Sequence, residues 1–485
     1  MINYFKLAKF FLYLAPFTVV IVSSSTLFPF IVGKYVFFRT VVSFALIFYL
    51  LGLLFQDKSL VVGRKLLVNP LIIAVLTFVL IFIFAGFFGV NPSWSFWSNF
   101  ERGEGGLQIL YLGVFFLLLV SLFREKSDWQ KLFLISIIAG VLMIFYGVFA
   151  GLKYIDAETT IQTINGAPQK ILTGKGGPFY QTFHSFIGED FREKGYRFAG
   201  SIGNPAYVSV YLVFIIFYAL YLLIDKYRYR LNSTGAISLM AAIIFFLIFF
   251  FLAATRGAFL GLILAVLSGL VYLGFSIKSW RKWFFSVGVI MLLVIGLLVY
   301  FRNTPFIKSL PGARIFDISF RTENFQNRMV LWKTALDGFK ERPILGWGPE
   351  NFTTVFDKHY NVKHFHPNAE GFGAWYDRAH NIFLDYLTQA GIFGLLSFLG
   401  IFVIFYWQLF KFDERPTTNN SQHKSDNKQK LLVVSRQSLV SNALLFAMPI
   451  AYLIQGIVLF DILPTYINLF MFLAFSVYKF RNFKF

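Results

Sequence analysis

Long apolar runs separated by short polar connections dominate the chain. A helix crossing a bilayer needs about 20 apolar residues. We read twelve such runs, with soft boundaries: 10–32, 36–55, 66–89, 106–123, 132–151, 203–224, 236–254, 257–276, 283–301, 381–410, 438–458 and 464–478. The pattern predicts an all-α polytopic membrane protein, a single integral membrane domain over 1–485 with about twelve transmembrane helices. The first run is too long for a signal-peptide core and no A-x-A site follows it, so a retained span is expected.

The connections alternate in charge. One set is short and basic, and includes Lys6, Lys9, Lys58, Arg64, Lys65, the 411–437 segment and the tail residues Lys479, Arg481 and Lys484. Over the whole set there are 23 basic and 7 acidic residues, against 21 and 17 in the rest of the chain. The positive-inside rule makes the basic set cytoplasmic and both termini with it. The net charge of +20 is then mostly topology, and no nucleic acid is needed to explain it. Charged residues make up 14% of the chain, well below the roughly 25% of soluble domains. Cysteine is absent, which excludes disulfides and thiol chemistry.

Two connections on the opposite side are long, an external loop at 153–202 and a larger one at 302–380. The polar 411–437 stretch reads as a cytoplasmic linker. The external segments hold five of the six histidines: His184, His359, His364, His366 and His380. There is no P-loop, no G-x-G-x-x-G and no D-x-D. A glycosyltransferase built this way would use a lipid-borne donor.

Three constellations carry candidate chemistry. Arg197 precedes Gly200-Ser201-Ile202-Gly203-Asn204-Pro205, where a turn opens a helix and free backbone N–H groups favour an anion. A membrane-edge anchor is the plainer role for this Arg. Arg256 is the single charge in the apolar stretch 236–276. It must lie at a tight external turn, where burial near lipid costs about 2.5–3.5 kcal/mol. An anionic ligand would offset that cost; a snorkelling turn residue is the alternative. The third is Asp377-Arg378-Ala379-His380-Asn381, with Gly391 and Gly394 beyond it. Here His380 is expected on the first turn of a span, its pKa lowered by the helix N-terminus. Asp377 is expected to cap that helix and orient the ring, and the two glycines to admit another helix. A polar cap cluster is the simpler alternative. Met329, Trp332, Leu336 and Phe339 recur at helical spacing and predict an amphipathic helix on the outer membrane surface, with Arg328 one turn from Trp332.

Together these segments resemble the bacterial O-antigen ligase and polymerase superfamily. His380-Asn381-x-x-Leu384 followed by Gly391 resembles its H-N-x-x-L motif, and Arg256 to Leu260 its R-x-x-x-L motif. Arg197 to Pro205 resembles its Arg-containing G-x-x-G-N-P segment. Arg328, Trp332, Pro343, Gly346 and Gly348 resemble its R…W…P-x-x-G-x-G stretch. Ala206 departs from the second Asn that often follows N-P. The resemblance implies a glycosyltransferase of the bacterial cytoplasmic (inner) membrane with its site facing the periplasm or exterior. The donor would be a glycan on undecaprenyl diphosphate. Arg197 and Arg256 would grip the diphosphate and His380 would be the general base. Asp377, Asn381, Arg328, Trp332 and Arg102 would support them, with no metal and no cofactor. The acceptor would be a hydroxyl of lipid A core, another glycan or a protein. A lipid-linked glycan flippase is the competing class, although its ionisable groups would be expected at the membrane midplane.

Overall fold

A computed structural model describes the chain apart from residues 1, 57–67, 100–101, 150, 155–158, 165–166, 173–180, 185–196, 228–229, 309, 311, 318–322, 365–374, 414–426 and 482–485. Among the described residues, thirteen helices of eleven or more residues organise it. They are α1 (Tyr4–Leu14), α2 (Val32–Phe55), α3 (Pro70–Phe87), α4 (Gly106–Leu122), α5 (Lys126–Phe149), α6 (Pro205–Tyr227), α7 (Thr234–Leu252) and α8 (Arg256–Ser276), then α9 (Arg281–Tyr300), α10 (Glu323–Glu341), α11 (Ile382–Asp413), α12 (Asn427–Gly456) and α13 (Leu463–Phe480). Two short antiparallel strand pairs lie in 151–184.

Among the described residues, ten helical segments are long and apolar enough to span a bilayer. Helix α4 is shorter, at 17 residues. The first expected run, 10–32, forms differently. Asn3 caps α1 through its side chain, and Pro16 sits at the start of a 3-10 stretch, Ala15–Val20, that ends the helical run before residue 21. The expected 411–437 linker is helical at both ends, since α11 runs to Asp413 and α12 resumes at Asn427.

Apolar composition alone does not say whether a helix meets protein or lipid. The bundle separates the two cases. Over their apolar windows α6 and α13 are 83% and 89% buried, whereas the Lys278–Tyr300 segment is 6% buried. Helices α6 and α13 therefore form the interior, and α9 presents Val287, Ile290, Leu293 and Leu297 outward.

Helix α11 is broken at Gly391 (φ 64°). A break frees backbone groups, and inside a membrane these must be satisfied by protein. The 343–348 loop does this. Trp347 N donates to the Thr388 carbonyl (2.9 Å), Gly348 N to the Gln389 carbonyl (2.9 Å), and Ile392 N to the Pro343 carbonyl (2.8 Å). Gly391 thus admits a loop rather than the helix expected from sequence. A Cβ at residue 391 would run into the Ile344 carbonyl, and a side chain disfavours a positive φ.

Candidate active site

The segment before α6 is fixed from several sides. Gly203 turns at φ 82° and Asn204 caps α6 by accepting from Ala206 N (2.9 Å), with Pro205 in the first turn. The buried Lys34 ammonium donates to the carbonyls of Ile21 and Ser201, both at 2.7 Å. Phe198 N donates to the Leu252 carbonyl at 3.1 Å, which docks the segment on the α7–α8 turn. Arg197 follows: its Nε donates to the Ala253 carbonyl (3.1 Å) and its Nη2 to Thr255 Oγ1 (2.9 Å). The same turn carries Arg256 as the first residue of α8, just beyond Ala254 at φ 49°. The expected tight turn is therefore present and holds both arginines together.

Arg197, Arg256, Arg328 and His380 all line one cavity of about 410 Å3, with Tyr376 and Arg314. Its apolar wall includes Leu260, Val458 and Leu459. Among the described residues lining it there is no carboxylate. Burial pushes the Arg197 pKa down to about 10, helped by repulsion from Arg314, Arg256 and Arg328. Burial also lowers Arg328 from the ordinary guanidinium value. Like charges gathered in a shielded cavity favour a polyanion, because the ligand relieves repulsion that the protein otherwise bears.

Arg314 was missed in the sequence. It stands alone on a 3-10 turn, Ala313–Phe316, with no motif around it. The turn is anchored by buried Ile315 and Phe316, the latter packed edge-on to Phe259 of α8 at 5.7 Å. Such docking is invisible in a linear pattern.

His380 lies two residues before α11, at φ 51°, and not on its first turn. Such a conformation in a non-glycine residue is strained and marks sites held by their surroundings. The ring is packed edge-on between Tyr376 (5.4 Å) and Phe460 (5.1 Å). Nδ1 lies 3.2 Å from the Arg378 carbonyl. A carbonyl can only accept, so Nδ1 carries the proton and the lone pair resides on Nε2. Burial lowers the His380 pKa below its ordinary value, and Arg328 and Arg102 add to this against Asp377 and the Arg378 carbonyl. The expected direction holds, with burial as the main cause in place of the helix terminus.

The capping expected of Asp377 is performed by Asn381, whose Oδ1 accepts from Phe383 N (3.0 Å) and Leu384 N (3.2 Å). Asp377 instead takes two bonds from Arg102, at 2.7 and 3.2 Å. Burial raises the Asp377 pKa, but Arg102 outweighs it and the net direction is down. Arg102 also stacks over Phe460 at 5.0 Å and does not line the cavity. Beneath it lies a second buried ion cluster. Arg378 bonds Glu350 and Gln389 and approaches Glu104 at 3.5 Å. Burial pushes Glu104 up to about 8, with Arg378 and Arg102 opposing. Ser98 and Glu350, both at positive φ, bond each other at 2.8 Å.

The amphipathic helix is α10, but its protein-facing side is Leu331 and Ala335, packed on Phe352, Phe356 and Ala379. Met329 and Leu336 are exposed, at 45% and 42%. Trp332 rests edge-on against Phe325 at 6.1 Å, and Phe325 lines the cavity. Of the other histidines expected outside, His359 lies 3.0 Å from Glu341 and His364 packs among Phe356, Tyr360 and Tyr376. His366 and the side chain of His184 lie outside the described residues.

An uncharacterized protein of Haemophilus influenzae is 25% identical over 263 residues, 53% of this chain and 58% of that protein. The chain thus aligns with a little over half the length of that relative. Residues 240–399 match the family model described as O-antigen ligase. That segment supplies Arg256, Arg314, Arg328 and His380 to the cavity. Over that segment, about a third of its length, this multi-pass membrane protein is similar to the O-antigen ligase family.

Proposed function

We propose that the protein transfers a glycan from undecaprenyl diphosphate to an acceptor hydroxyl at the external face of a bacterial cytoplasmic membrane. The observation that carries this reading is the single cavity shared by Arg197, Arg256, Arg314, Arg328 and His380. Guanidinium forks bind phosphate oxygens bidentately. They also stabilise the charge that grows on the diphosphate as the glycosidic bond breaks.

His380 Nε2 removes the acceptor hydroxyl proton. The acceptor oxygen forms its bond to the anomeric carbon from the face opposite the diphosphate. The bond from that carbon to the diphosphate oxygen breaks, and the electron pair leaves with undecaprenyl diphosphate. One displacement inverts the anomeric centre. Diphosphate is a good leaving group, so no covalent nucleophile is required. The apolar wall at Leu260, Val458 and Leu459 suits the lipid end of the donor.

Ligation to a lipid A core, glycan polymerisation and transfer to protein hydroxyls share this donor chemistry and differ in the acceptor. The test is purified protein with a defined undecaprenyl diphosphate glycan and a panel of lipid, glycan and protein acceptors. The expected result is glycosylated acceptor and released undecaprenyl diphosphate in equal amounts. Movement of the donor across liposomes without any transfer would favour a flippase.

A further inference from the structure

Arg256 does not face the cavity with an idle guanidinium. Its Nε donates to the Arg314 carbonyl at 3.2 Å and its Nη2 to Asp317 Oδ2 at 2.6 Å. These are the two donors that one edge of the fork would offer to a pair of phosphate oxygens. A carbonyl and a carboxylate oxygen of one short turn, Gly312–Asp317, stand in that place. The turn is well anchored: Gly312 adopts φ 77°, and Ile315 and Phe316 are buried. Asp317 at its end is not buried; its side chain is 51% exposed. The second Asp317 oxygen lies 4.0 Å from Arg302 Nε, so the carboxylate has another cation within reach.

We propose that Asp317 occupies a donor phosphate position on Arg256 and is displaced when the diphosphate binds, with Arg314 then joining the phosphate-binding set. The inference rests on the diphosphate reading of Arg256. Its physical basis is a competition. An exposed carboxylate pair is weakly held, whereas a phosphate brings more charge and further contacts to Arg197 and Arg328 across the same cavity. The Asp317 side chain needs only to swing toward Arg302, because the backbone of the turn is held by its apolar plug. The carboxylate keeps Arg256 oriented before the donor arrives and lowers net donor affinity as a consequence.

The test is the binding of undecaprenyl diphosphate to the purified full chain in detergent. Asp317→Asn should bind about two- to fivefold more tightly than wild type. Asp317→Ser, the second variant, should do the same. In an Arg256→Ala background the Asp317 substitution should have no effect, since the competition has been removed. Arg314→Ala should weaken binding, with thermal unfolding unchanged. If Arg256→Ala weakens binding but both Asp317 variants bind equally or less well than wild type, the carboxylate only orients Arg256. The displacement model is then overturned and the diphosphate reading stands. If Arg256→Ala binds as well as wild type, the diphosphate reading fails and the proposal falls with it.

Discussion

Two groups of arginines lie near His380 and behave in opposite ways. Arg102 and Arg378 are saturated by carboxylates: Arg102 by Asp377, and Arg378 by Glu350 with Glu104 nearby. Arg197, Arg314 and Arg328 face a cavity whose described lining has no acid, and the acid that Arg256 meets is the half-exposed Asp317. The first group orients the His380 ring through Arg378, whose carbonyl accepts a hydrogen bond from the imidazole Nδ1–H. The second group gathers positive charge around one cavity, which the proposed function assigns to the donor diphosphate. On the proposed function, the same side chain is thus a brace in one setting and a binding group in the other. The difference is set by which carboxylates the fold brings alongside.

This contrast can be broken by mutation. The largest effect is expected from Arg378→Ala, which leaves Glu350 buried without its cation. Removing one partner of a buried pair costs about 3–5 kcal/mol, so the variant should show a strongly lowered melting temperature. Arg197→Ala, which removes two hydrogen bonds to the α7–α8 turn, should lower melting far less than Arg378→Ala and weaken donor binding by about 10- to 150-fold, the worth of a charge-assisted bond. If Arg197→Ala melts like Arg378→Ala while binding donor normally, the two groups are not distinct.

Gly391→Ala sharpens the account of the helix break. A side chain at φ 64° that meets the Ile344 carbonyl should cost about 1–3 kcal/mol and displace the 343–348 loop, read as lower thermal stability. The smallest effect is a pH shift. His380 must be neutral to act as base, so activity should fall as pH drops through its pKa, which burial and Arg328 hold below the ordinary value. Arg328→Ala removes a nearby positive charge, so that pKa rises. The acid limb of the pH–rate profile should move to higher pH by less than about one unit.

Much of the architecture was legible in the chain. Apolar runs located the helices because lipid and protein interiors both demand apolar surfaces. Arg256 was found because a lone charge in 236–276 required a turn. What failed did so for identifiable reasons. The roles of Asp377 and Arg102 depend on a pairing across 275 positions, which no local spacing reveals. Gly391 was read as a helix contact because a break filled by a loop looks the same in sequence as a small-residue interface. Arg314 lacked any motif, and only the docking of Phe316 on Phe259 brings its turn to the cavity.

The central claim is that His380 is the base at a site whose arginines hold the donor diphosphate. The most direct measurement compares wild type and His380→Ala, purified and folded, for both undecaprenyl diphosphate glycan binding and single-turnover transfer to an acceptor hydroxyl. The account predicts donor binding within a few-fold of wild type and transfer reduced by about 100- to 10,000-fold, as for loss of a general base. Transfer by His380→Ala at the wild-type rate would contradict it.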